Sequence, residues 1–198
     1  LPKIDWVLVL YTLVSCDLVH FIENLPETPK QAVAGVPPVD WQVVRAFEKS
    51  MLRTDTELYT YPAFLYFLEK EFARFERFSQ PFSIIIIEAV LRNTKNSKVT
   101  DPLPLSAVKE VAKRVDRLKR KTDLLGHYET FGLALLLPLT DGTSARSFAS
   151  RLADVIVSTP LSDDIDNASL VLSIGTASIP ESCQDLGAML AMARPTKA

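Results

Sequence analysis

The segment PFSIIIIEAV, Pro81 to Val90, constrains the fold more than any other. Four consecutive isoleucines follow a proline. The run is β-branched, too short for a buried helix, and lacks the alternation of a strand with one wet face. Such a segment suits a central strand covered on both sides. The rest of the chain must therefore supply two apolar layers, and 198 residues with 47% hydrophobic content are enough to do so.

The flanks carry the periodicity of those layers. Upstream, DWQVVRAFEKSML offers Asp40 as an N-cap and Val43, Val44, Phe47 and Leu52 at helical spacing. AFLYFLEKEFARFERF repeats the pattern with Phe64, Phe67, Leu68, Phe72 and Phe75, and RTDTELYTYP between the two helices has loop chemistry. Downstream, LRNTKNSKVTDPLPL is polar and proline-bearing, and SAVKEVAKRVDRLKR places Val108, Val111, Ala112, Val115 and Leu118 along one helical face. LGHYETFGLALLLP reads as two short strands folded back on each other. TDGTSARSFASRLADVIV is a further helix, NASLVLSIGTASI a strand ending near a glycine, and DLGAMLAMA a short last helix. From Ala63 the order is helix, strand, helix, strand, strand, helix, strand, helix. This predicts a mixed sheet with helices packed on it, of the α/β or α+β kind, with the hairpin inside the sheet.

Ahead of this domain lies Asn24 to Asp40, with four prolines and one glycine, which reads as a linker or wrapped loop. The expected division is a helical extension and linker over residues 1–38, the tail of an upstream domain, and a folded domain over 39–198. The chain begins without methionine, so a fragment of something longer is expected. Trp6 to Ile22 is apolar, but Asp17 and His20 interrupt it and it is shorter than a bilayer requires, so a buried helix is the expectation.

Charge and cysteine usage exclude several roles. The formal net charge is -2 with both signs interspersed, which gives no field for nonspecific nucleic-acid binding. Cys16 and Cys183 lie far apart and form no metal-ligand cluster, consistent with unpaired thiols in the cytoplasm.

The element order, together with IIIIE, RKTDLLGHYETFGLALLLP and LSIGTAS, resembles the GGDEF domain, the catalytic unit of bacterial diguanylate cyclases. The resemblance covers about Arg53 to Ala193. It rests on a D-x-x-x-x-Y-x-x-x-x-F-x-x-x-x-P spacing from Asp123 through Tyr128 and Leu133 to Pro138, with leucine in place of phenylalanine, and on Ser173 to Gly175. The hairpin signature of the family, R-Y-G-G-D-E-F, falls here on His127 to Leu133. Glu129, Thr130, Phe131, Gly132 and Leu133 then occupy the five signature positions.

The resemblance implies a metal-assisted condensation of two GTP molecules, which needs carboxylates from two strands. Glu88 stands where the first would be, a lone relic carboxylate, and the partner positions hold Phe131 and Gly132. Neither can coordinate magnesium. The tip glycines, which would let backbone approach nucleotide, are Glu129 and Thr130. Asn93, Lys95 and Asn96 in the following loop are residues that any polar loop carries. The expectation is an inactive cyclase-like domain with no catalytic residues, no bound metal and no cofactor.

A second family feature is better kept. Members often carry R-x-x-D just before the hairpin, an inhibitory site for cyclic di-GMP, and Arg120 and Asp123 stand in that register; Arg151 on the next helix is the candidate third member. Guanidinium forks clamp phosphate oxygens and the guanine O6 and N7 edge, and a carboxylate accepts from guanine N–H groups. The plain alternative is a solvated basic helix end with a turn-forming aspartate. His127 reads as a surface or packing histidine, and His20 carries no signal.

The expected function is a noncatalytic signalling or scaffolding module that meets a protein partner or its own copy through the helices at Val39 to Met51 and Ala63 to Phe78. The alternative is a cyclic di-GMP receptor through Arg120, Asp123 and Arg151. An enzyme of altered chemistry, with Glu88 as its only clear carboxylate, ranks last. Neither nucleic acid nor membrane is an expected partner.

Overall fold

The computed structural model describes residues 39–93, 100–129, 132–162 and 164–195. The Trp6 to Ile22 segment, the proline-rich linker, Lys95, Asn96, Thr130 and Phe131 lie outside the described residues. The elements are α1 (Trp41–Ser50), α2 (Tyr61–Phe78), β1 (Phe82–Arg92), β2 (Thr100–Pro102), α3 (Leu105–Leu118), β3 (Leu124–Tyr128), β4 (Gly132–Leu137), α4 (Gly142–Val157), β5 (Leu170–Ile179) and α5 (Leu186–Ala193).

The isoleucine strand is the axis of the sheet. β1 pairs with β5 along one edge, from Phe82 to Leu91, and with β4 along the other, from Ser83 to Glu88. β3 lies outside β4, and β2 continues the β4 side at the far end of β1. Each of these ladders is antiparallel, so the α+β form of the expectation holds and the sheet carries no parallel ladder among the described residues. The hairpin is half inside the sheet, with β4 internal and β3 at the rim.

Alternate isoleucines feed opposite cores. Ile85 and Ile87 join Leu133, Leu135 and Leu137 against Val111 and Val115 of α3 and Phe148, Leu152 and Ile156 of α4. Ile84 and Ile86 join Ala134 and Leu136 against Phe64 and Leu68 of α2 and Met189 of α5. Burying an isoleucine side chain stabilises by about 1.5–3 kcal/mol, so four in a row make this strand the chief anchor of both layers.

Local chemistry sets the helix ends. The Thr60 hydroxyl accepts from Ala63 N to start α2, and Ser79 ends it in a left-handed conformation at φ 54°. Asp141 and Asp185 cap α4 and α5 in the same way as Thr60, accepting from Ser144 N at 2.7 Å and Ala188 N at 2.8 Å. Arg114 holds the other end of α4. It is buried on α3, pairs with Glu110 at 3.0 Å, and donates to the carbonyls of Ile156 and Thr159 at 2.7 Å and of Pro160 at 2.8 Å.

Two sequence readings need correction. The polar segment after β1 is not all loop, because Thr100–Pro102 pairs with Val90–Arg92; a three-residue strand ending in proline has no apolar signal to announce it. The last strand runs through Gly175 to Ile179 rather than ending near the glycine. A Cβ on Gly175 would lie 2.1 Å from the Ala193 carbonyl oxygen, so glycine is there to admit the end of α5.

Helix α1 differs from the rest. It buries none of its residues, and Trp41, Val43, Val44 and Phe47 all face outward.

Candidate functional site

The hairpin forms a regular antiparallel pair. β3 and β4 pair from Leu124–Leu136 to Tyr128–Gly132, and Leu133, at the last signature position, is a core residue. Glu129 sits at the first signature position with φ 47°, a left-handed backbone that suits glycine. Its carboxylate pairs with Arg194, whose Nε also donates to the Tyr128 hydroxyl at 3.1 Å. Two side chains thus tie the tip to the end of α5.

Among the described residues Glu88 belongs to no cluster of metal-ligating side chains. Its cross-strand neighbours are Gly132 on β4 and Ser173 on β5. A Cβ at Gly132 would lie 3.1 Å from the Tyr128 carbonyl oxygen, so even a small side chain there is tight. The carboxylate pair that the resemblance implies does not fit these residues: the one carboxylate, Glu88, has Gly132 and Ser173 across from it, and Phe131 offers no oxygen.

His127 is a packing residue. It is buried, its Nε2 lies 2.7 Å from the Thr56 hydroxyl, and its backbone N donates to Tyr59 O at 2.8 Å. Burial pushes the imidazole pKa below its usual value, Arg53 adds to the effect, and Asp55 opposes it. The loop between α1 and α2 is thereby fastened to β3.

The three residues of the R-x-x-D reading come together. Arg120, Asp123 and Arg151 line one pocket of about 390 Å³, between the α3–β3 turn and α4, with Phe148, Thr143 and Ser147 on its helical wall. Asp123 is buried and performs the turn role as well, since its Oδ2 accepts from Arg120 N at 2.7 Å. Its Oδ1 is buried and has no hydrogen-bond partner among the described residues. Arg151 lies over the Phe148 ring at 5.4 Å, and among the described residues neither its guanidinium nor that of Arg120 pairs with a carboxylate. Thr143 and Ser147 were not foreseen, because hydroxyls on an amphipathic helix give no sequence signal.

A larger groove of about 770 Å³ runs between the α1–α2 loop and α3, lined by Asp55, Glu57, Lys109, Lys113 and Asp116, and it meets Asp123 from the other side of the turn. Its charges are mixed.

No family model matches the chain, and no curated relative matches it. Solved structures do. The GGDEF domain of TpbB, also called YfiN, from Pseudomonas aeruginosa is 22% identical, with 72% of this chain and 83% of that chain covered and a TM-score of 0.61. The fold is that of a GGDEF domain. The diguanylate cyclase SiaD from the same organism, solved with its activator SiaC, aligns at 17% identity and a TM-score of 0.61, with 96% of this chain and 65% of that chain covered. The coiled coil and GGDEF domain of DgcB from Caulobacter crescentus, solved in complex with c-di-GMP, aligns at 12% identity and a TM-score of 0.60, with 77% and 81% covered. No helix among the described residues is long and apolar enough to cross a membrane.

Proposed function

We propose that this domain is a noncatalytic signalling module of GGDEF fold that acts as a receptor for cyclic di-GMP. One observation carries the reading: a single pocket gathers the Asp123 carboxyl group with the guanidinium groups of Arg120 and Arg151, neither of which pairs with a carboxylate among the described residues. A guanine base offers N–H donors to the carboxylate, and a phosphodiester offers oxygens to the arginines. The likeness to DgcB, solved with c-di-GMP, supports the same ligand.

The noncatalytic half rests on Glu88 opposite Gly132 and on a tip where Glu129 and Arg194 neutralise each other. An unpaired Cys183 fits a reducing cytosol. A thermal-shift experiment tests the receptor. Cyclic di-GMP in large excess over its Kd should raise Tm by several degrees in the native domain and not in Arg120→Ala; an unmoved Tm in the native protein refutes the reading.

A second reading, protein interaction, is favoured by α1, whose Trp41, Val44 and Phe47 are large apolar side chains exposed at the surface. SiaD was solved with a protein activator, which makes a partner of this kind a reasonable candidate here. Light scattering over a concentration series separates self-association from a foreign partner.

A further inference from the structure

We infer that Ser147 on α4 is a further ligand contact of this pocket, donating its hydroxyl to a phosphodiester oxygen held near Arg120 and Arg151; the inference rests on the receptor reading above. Thr143, Ser147 and Arg151 are spaced four residues apart on a sixteen-residue helix, which puts them in one row, and all three line the pocket.

The members of that row are not equally available. Thr143 Oγ1 accepts from Arg146 at 3.1 Å. The amides of the first turn are also occupied, Gly142 N by Glu181 at 3.1 Å and Ser144 N by Asp141 at 2.7 Å, so the end of the helix does not offer free donors. Ser147, one turn further in, is exposed to the pocket, and among the described residues its hydroxyl makes no side-chain hydrogen bond.

Its neighbour in the row is Arg151, steadied by the Phe148 ring at 5.4 Å. Side chains four apart on a helix have Cβ atoms about 5–6 Å from each other, a separation one phosphate group can bridge. A neutral hydroxyl beside two guanidinium groups suits a diester, which carries a single negative charge, and adds direction that charge alone lacks. Asp123 lines the same pocket, with its Oδ2 accepting from the Arg120 amide at 2.7 Å.

The test is calorimetric titration of the full chain with cyclic di-GMP, comparing native protein, Ser147→Ala, Ser147→Thr and Arg120→Ala. Loss of one hydrogen bond to an ionised acceptor predicts about tenfold weaker binding for Ser147→Ala. Ser147→Thr, which keeps the hydroxyl, should stay close to native affinity. Without ligand, the Tm of both serine variants should match the native protein, because the site is an exposed helical position. Native-strength binding by Ser147→Ala, with binding lost in Arg120→Ala, would overturn the inference and leave the receptor reading standing. No binding by the native protein would overturn both.

Discussion

Glu88 on β1 faces Gly132 on β4 across a pair of antiparallel strands, so this carboxylate looks onto a residue without a side chain. The strands are intact and the register is regular. A metal ion shared by two phosphates needs oxygen ligands on both strands.

The native domain, incubated with GTP and magnesium, should therefore form no cyclic di-GMP above the protein-free control, as read by chromatography of the nucleotides. Gly132→Glu should not restore activity. It should also lower stability, because its Cβ would come within 3.1 Å of the Tyr128 carbonyl oxygen.

Glu129 adopts a left-handed backbone at φ 47°. Glycine accepts that conformation freely, whereas a residue with a Cβ is strained by about 1 kcal/mol. Glu129→Gly and Glu129→Ala both remove the exposed ion pair with Arg194, and they differ in the backbone term. In urea unfolding the glycine variant should be more stable than the alanine variant by about 1 kcal/mol. Equal stabilities would contradict the conformation.

Arg114 donates to the carbonyls at the end of α4 and just beyond it, and its loss would leave the buried Ile156 acceptor and the partly buried acceptors of Thr159 and Pro160 without this donor. Arg114→Ala should cost about 2–4 kcal/mol in denaturant unfolding. Arg114→Lys should recover only part of it, since a single ammonium cannot reach the set that a guanidinium spans.

His127 gives a pH dependence whose sign follows from burial. Its folded-state pKa lies below the unfolded value, so the folded protein favours neutral imidazole. That contribution is complete above the unfolded pKa of about 6.5 and is lost as pH falls through the folded value. Between pH 7.5 and 5, Tm should fall more steeply in the native protein than in His127→Asn, with the titrations of all other groups common to both. Parallel curves would show that His127 does not contribute.

The isoleucine run announced β1, and the apolar periods around it announced the helices and the hairpin, because burial imposes spacing that can be read directly. Where position depended on a few hydrogen bonds, the sequence was silent. Arg114 looks like one more charge on a basic helix, yet it stands three residues after Val111 and next to Val115, on the buried side. Thr100–Pro102 is too short and polar to suggest a strand. Arg120, Asp123 and Arg151 were singled out through resemblance, and their common pocket is a property of the turn before β3 and the packing of α4. No pattern along the chain could have shown that the second oxygen of Asp123 finds no hydrogen-bond partner among the described residues.

The central claim is that this pocket binds cyclic di-GMP, and isothermal titration of the native domain beside Arg120→Ala and Arg151→Ala tests it most directly. Saturable heat in the native protein is predicted, with affinity reduced about tenfold or more in each variant, as expected for loss of a charge-assisted contact. No heat at high ligand concentration, from protein shown to be folded, would contradict the account.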